Sequence, residues 1–281
     1  MPKRRRREIF FKRLMQLSLL LVVGLLIGVI VAVLIRGTSA LSVSMLLDTP
    51  QGGYYLGGEG GIANAIAGSL YLAFGASLLA LLLSLPISFA LQKEYAGSRL
   101  AHLSRIILEV LWGTPSIVYG AVGFIVMVYF GVRASLLGGI LVLTLLTMPI
   151  MIRSMDEILR MVPVELKEIA VSLGATRLET AWIVFRQVLP GIVTAVILAF
   201  GRAIGDAASI LFTAGYTDAM PRSLTDPVAS LPLAIFFQIG TPLAEVQDRA
   251  YAAALVLLII VLVVNVAARM LSDRFSRNVI R

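Results

Sequence analysis

With 281 residues, 59% of them hydrophobic and 14% charged, and a mean hydropathy of +0.94, the chain lies outside the compositions of soluble globular proteins. Its net charge is +8, with one histidine and no cysteine, which excludes disulfides, thiolate metal sites and thiol nucleophiles. Apolar runs of about 20 residues predict an all-α integral membrane protein with six transmembrane helices, at roughly 14–35, 66–91, 106–130, 135–152, 188–212 and 250–268. A single transmembrane domain, residues 1–281, accounts for the chain, with no soluble domain beside it.

The tail, residues 1–13, carries "KRRRR", which reads as a topology signal touching anionic headgroups rather than as a nucleic-acid patch. With the N-terminus inside, nineteen basic residues are cytoplasmic: seven in the tail, Lys93, Arg99, Arg105, Arg153, Arg160, Lys167, Arg177, Arg186, Arg269, Arg274, Arg277 and Arg281. Only Arg36, Arg133, Arg222 and Arg249 face outward, so the positive-inside rule predicts both termini in the cytoplasm. The first apolar run is longer than a signal-peptide core and no A-x-A site follows it, so it is expected to stay as an anchor.

The first outer loop, 36–65, ends in "GGYYLGGEGGIANAI" and reads as a flexible surface segment. Its "GEGGIA" matches G-x-G-x-x-A without a preceding strand, so no dinucleotide site follows from it. Pro86 and Pro115 lie inside the second and third runs and predict kinked membrane helices rather than loops.

Residues 153–187 form the most structured inner connection. Pro163 suits a first helical turn, and Leu166, Ile169, Ala170 and Leu173 recur at helical spacing as one apolar stripe, opposite Glu165, Lys167, Glu168 and Ser172. Gly174 supplies a stop, and "TRLE", Thr176 to Glu179, is a capping box that starts a second helix. This cytoplasmic helix-turn-helix is either an amphipathic connector lying on headgroups or a docking surface that fills a partner's groove.

The fifth run contains "AFGRAIGDAASILF", with Arg202 and Asp206 four apart and Ser209 and Thr213 continuing the same helical face. Arg202 falls roughly 18 Å beyond Pro190 at ~1.5 Å per residue, past the middle of a ~30 Å core, where a charge is costly. Gly201, Gly205 and Ser209, and likewise Ala199, Ala203 and Ala207, recur every four residues and predict close helix packing in a bundle centre. The pair is either a structural pin or the wall of a water-filled path, and a rigid guanidinium fork at that depth suits an oxyanion such as phosphate or sulfate.

The longest outer connection, 213–249, holds "LPLAIFFQI", too short to span and predicted as a short helix at the outer interface or dipping back in. Enzymatic chemistry finds no support: His102 has no Ser/His/Asp, H-E-x-x-H or carboxylate companion. No G-x-x-x-x-G-K-[ST] occurs, so this chain cannot hydrolyse a nucleotide by the P-loop route.

"EIAVSLGAT", Glu168 to Thr176, resembles the E-A-A-x-x-x-G-A loop by which bacterial ABC importer permeases dock their ATPase subunits, with Ile169 in place of the usual first alanine. "GGIANAIAGSLYL", "LPISFALQKEYAG", "GTPSIVYG", "GRAIGDAASILFTA" and "ASLPLAIF", from Gly60 to about Phe236, are similar to blocks of the PstA-type permease subunits of phosphate ABC importers. That resemblance implies a type I ABC importer permease with Glu168, Ala170, Gly174 and Ala175 in ATPase docking, and Arg202, Asp206 and Ser209 on the substrate path. It implies a second, PstC-type permease, two PstB-type P-loop ATPase subunits that use ATP and Mg, and a PstS-type extracytoplasmic phosphate-binding protein, with no cofactor or metal on this chain and no nucleic-acid partner. Asp206 stands where the family usually has Glu, which shortens the carboxylate's reach. Leu189-Pro190 lies beyond the family's usual first Leu-Pro, so the second docking helix is expected to end differently. An ion- or proton-coupled secondary transporter of an anion is the alternative, although no internal repeat is found; a membrane scaffold is disfavoured by the buried pair alone.

Overall fold

The computed structural model describes residues 2–54, 58–92 and 98–276; Lys93, Arg277 and Arg281, counted above as inner charges, lie outside them. Its ten helices, with no strand among the described residues, are α1 (Pro2–Ala40), α2 (Val43–Leu47), α3 (Ala63–Ala90), α4 (Ser98–Gly113), α5 (Ser116–Tyr129), α6 (Leu136–Arg160), α7 (Val164–Ser172), α8 (Arg177–Ile204), α9 (Leu231–Ile239) and α10 (Ala244–Ser276). Five are long and apolar enough to cross a membrane, and α4 with α5 makes a sixth if that bent pair counts as one span.

The centre of the bundle is α3 against α6. Ala76, Ala80, Ser84 and Ser88 repeat every four residues on α3 and are buried, so the α6 backbone comes close. Thr144 Oγ1 donates to the Ala76 carbonyl at 3.4 Å, Ser84 Oγ to that of Met148 at 3.4 Å, and Ser88 Oγ to that of Ile152 at 3.5 Å. Contacts advancing together along both helices make them parallel. α8 closes this core through Ala199, Phe200, Ala203 and Ile204.

Three features differ from the sequence reading. The third span is two helices bent by 99° at Thr114–Pro115, a corner rather than a kink. Pro115 is extended (φ −59, ψ 139) and has no N–H, and the freed carbonyls find other donors: Thr114 Oγ1 reaches that of Val110 at 2.8 Å and Tyr119 Oη that of Leu111 at 2.7 Å. Pro86 and Pro190, by contrast, lie inside unbroken helices, so α8 joins the second helix of the 153–187 connection to the membrane helix without interruption. The first outer connection is tied down: α1 continues to Ala40, α2 follows, and Arg249 Nη1 donates to the carbonyls of Tyr54 at 3.0 Å and Gly58 at 2.7 Å. The third difference is the end of α8, treated below with the site it builds.

The predicted short outer helix is α9, capped by Ser230, whose Oγ accepts from Leu233 N, and its Leu231, Leu233 and Gln238 are buried. It inserts into the bundle where Gly68 of α3 leaves room: a Cβ there would overlap the carbonyl oxygen of Ala229. Gly68→Ala is therefore expected to destabilise by about 1–3 kcal/mol through overpacking. Gly201→Ala, where no atom lies within 4 Å, should leave the unfolding temperature in detergent unchanged or raised. Equal unfolding temperatures for the two variants would contradict this packing.

Candidate functional site

The sequence places Arg202, Asp206, Ser209 and Thr213 on one helical face; the structure stops the helix at Ile204. Gly205 is the C-cap, and Asp206 Oδ2 accepts the backbone N–H of Ser209 at 2.8 Å, a local bond that competes with helix continuation. Residues 206–214 thus form a strap of turns, with Thr213 Oγ1 donating to the Ser209 carbonyl at 3.0 Å. The strap ends at Gly215 (φ +83), and the Thr213 carbonyl accepts from Ser135 N at the start of α6.

The charged pair does form. Arg202 Nη2 lies 3.2 Å from Asp206 Oδ1, joining the last turn of α8 to the strap. The two side chains differ in environment: that of Asp206 is 3% exposed and that of Arg202 is 47% exposed. Asp206 spends one oxygen on the strap's backbone and the other on the guanidinium, which leaves most donors of Arg202 facing out of the chain. Ser209 is buried, with no hydrogen-bond partner for its Oγ.

The two small-residue stripes also separate. Ala199 and Ala203 pack into the core, while Gly201 and Gly205 lie beside Arg202 on an open surface; Ala207 and Ser209 are no longer on the helix. α5 supports the strap from the other side. A Cβ at Gly120 would fall 2.7 Å from the Ser209 carbonyl oxygen, and Phe124 meets Phe212 with ring centroids 6.0 Å apart.

The second candidate region is the elbow formed by α7 and the start of α8. Gly174 has φ +83, the left-handed conformation expected of a helix stop, and Ala175 N donates to the Ala170 carbonyl at 3.0 Å. The capping box is present, with Glu179 Oε2 accepting from Thr176 N at 2.7 Å and Thr176 Oγ1 from Glu179 N at 3.3 Å. The predicted stripe splits: Ala170 turns into the bundle with Leu166 half-buried, while Ile169 and Leu173 are 59% and 83% exposed. Leu173 with Leu178, Trp182 and Ile183 lines an open groove of about 630 Å³. Glu168 is exposed and Ala175 half-buried, so the residues singled out from the loop are all on or under this elbow.

One cluster escaped the sequence reading. At the same end of the bundle, Asp156 of α6 accepts from Gln92 Nε2 at 3.0 Å and Arg105 Nε at 3.1 Å, and pairs with Arg160 Nη2 at 2.8 Å. Only the four-residue spacing of Asp156 and Arg160 was visible in the sequence. A cavity of about 670 Å³ at the opposite end is lined by Asp48, Glu59, Glu245 and Asp248 beside Arg249, a charge balance wrong for an oxyanion.

Residues 83–281 match the family model described as "binding-protein-dependent transport system inner membrane component". The chain is 32% identical over 247 residues to the phosphate transport system permease protein PstA of Yersinia pestis, covering 88% of this chain and 83% of that protein. It is 34% identical over 250 residues to phosphate transport system permease protein PstA 2 of Mycobacterium bovis, covering 86% and 80%. Among solved structures it resembles a chain of the inward-facing MetNI methionine ABC transporter, with TM-score 0.64 at 18% identity, covering 84% of this chain and 99% of that one, which shows the fold.

Proposed function

From the premise that the chain belongs to the binding-protein-dependent transport system inner membrane components, together with the phosphate transport permeases named PstA, we infer that it is the permease subunit of a phosphate ABC importer. It is a multi-pass membrane protein that moves a solute and does no chemistry on it; ATP hydrolysis belongs to separate subunits. The observation that carries the reading is the guanidinium of Arg202, half-exposed where α8 breaks, with its one carboxylate partner buried behind it.

In this reading Arg202 receives the anion with its outward donors, which match an oxyanion's geometry. Asp206 holds the fork in place and tempers its charge, since an isolated guanidinium in a low-dielectric path would hold a divalent anion too tightly to release it. Ser209 fixes Asp206 through its backbone N–H. A second permease faces the open Gly201–Gly205 surface and completes the path. The elbow, with Glu168, Ala170, Gly174 and Ala175, docks one of two P-loop ATPase subunits that use ATP and Mg. An extracytoplasmic binding protein delivers phosphate at the opposite end, and both termini lie in the cytoplasm, the orientation that the distribution of basic residues favours.

The complex reconstituted in liposomes with its ATPase and binding protein is expected to accumulate labelled phosphate only with ATP present, unaffected by a protonophore. Excess unlabelled phosphate should compete and equal sulfate should not. Uptake without the ATPase subunits, or uptake collapsed by the protonophore, would overturn the importer reading.

A further inference from the structure

α4 is held to the rest of the chain along one line. Ala101 is buried with Leu91 and Ile152, Arg105 reaches Asp156, and the ring of Trp112 lies 4.4 Å beneath the guanidinium of Arg153. Apart from Leu91, at the end of α3, these anchors belong to α6. Arg105 Nη2 also donates to the Leu91 carbonyl at 2.8 Å and Gln92 Nε2 to Asp156, so one carboxylate gathers the ends of α3 and α6 and the middle of α4. Asp156 is buried; its two oxygens take Arg105, Arg160 and Gln92.

Its position in the chain gives this cluster a mechanical meaning. α6 ends at Arg160, and only Met161, Val162 and Pro163 separate it from α7. In the other direction α4 turns the 99° corner into α5, which bears on the strap through Gly120 against Ser209 and Phe124 against Phe212. α4 and α5 therefore form a bent bracket from the foot of the docking elbow to the back of the strap that holds Asp206.

We propose that Asp156 is a positioning residue for transport: it clamps α4 to the end of α6, so that displacement of the docking elbow moves α5 and the strap with it. The proposal rests on the assignment of α7 as the ATPase dock. An ion cluster suits this task because the buried carboxylate keeps Arg160, which travels with it on α6, but loses Arg105 if α4 slides along α6, which gives the two helices one preferred register and makes intermediate ones unfavourable. Asp156 touches neither the anion nor the nucleotide; it acts through Arg105.

The chain has no cysteine, so Arg105→Cys/Asp156→Cys can be made without other changes and bridged by a short bis-methanethiosulfonate linker. Before bridging, the assembled complex should hydrolyse ATP while phosphate uptake per ATP falls about tenfold, within the usual range of coupling between sites. Bridging should restore uptake, and reduction should remove it again. Loss of uptake on bridging would mean that α4 and α6 separate during the cycle, and full uptake before bridging would mean that no clamp is needed; either overturns the proposal. Should the double variant assemble poorly, Asp156→Asn and Asp156→Glu decide. A raised ATP-to-phosphate ratio in Asn, partly restored in Glu, supports the clamp, whereas uptake and hydrolysis falling in proportion, or neither changing, refutes it. Failure of the ATPase to co-purify even with the unaltered chain would instead strike the docking assignment.

Discussion

Arg202→Met combined with Asp206→Leu is expected to yield a well-assembled complex that no longer transports phosphate. Arg202→Met alone leaves the Asp206 carboxylate buried with only the Ser209 N–H as partner, at a cost of about 1–3 kcal/mol. Removing the carboxylate as well relieves that cost, so recovery in detergent should return toward that of the unaltered chain. Transport should stay down by about two orders of magnitude, because no charge-assisted donors remain to replace the anion's hydration. The exposures of the two side chains make this test sharp. Asp206 is buried like a structural residue, while Arg202 faces out of the chain, so the folding and transport effects fall on different members of the pair. Normal phosphate uptake by an assembled double variant would reduce the pair to a pin between α8 and the strap.

Gly174→Val should detach the ATPase while the membrane part stays folded. No atom lies within 4 Å of a Cβ at this position, so the effect comes from the backbone alone. A β-branched residue at φ +83 is strained by about 1–2 kcal/mol or more, and relieving the strain unwinds the turn that sets α7 against α8. Gly174→Asn, which tolerates the left-handed region, is the control and should behave nearly as glycine does. Co-purification of the ATPase with the tagged permease measures the outcome, and full recovery of ATPase with Val would remove Gly174 from the docking turn.

The elbow and the charged pair were legible to different degrees. Gly174, the Thr176–Glu179 box and the short helix α9 follow from residues close together in the chain, and the structure forms each as expected, with Ser230 as the cap of α9 that the sequence reading did not single out. The end of α8 was misplaced because periodicity favours continuing a helix, whereas Gly205 and the Asp206 bond to Ser209 N end it. The corner at Pro115 was underestimated for a related reason. A proline in a membrane helix permits either outcome, and the hydroxyls of Thr114 and Tyr119 decide between them by satisfying the open turn.

What the sequence determined by itself was the membrane class, the number of apolar segments and the local stops and caps. Transfer of a 20-residue segment into lipid and capping of a helix end both depend on residues close together in the chain. What only the tertiary structure decided was which small-residue stripe packs and which lies open, and which carboxylates are buried. Ala76 to Ser88 of α3 lie against α6, while Gly201 and Gly205 face outward, although both stripes have the same spacing. Asp156 finds Gln92 across 64 residues and Arg105 across 51. Such pairings depend on how parallel helices are registered against one another, a property of packed surfaces that no single segment contains.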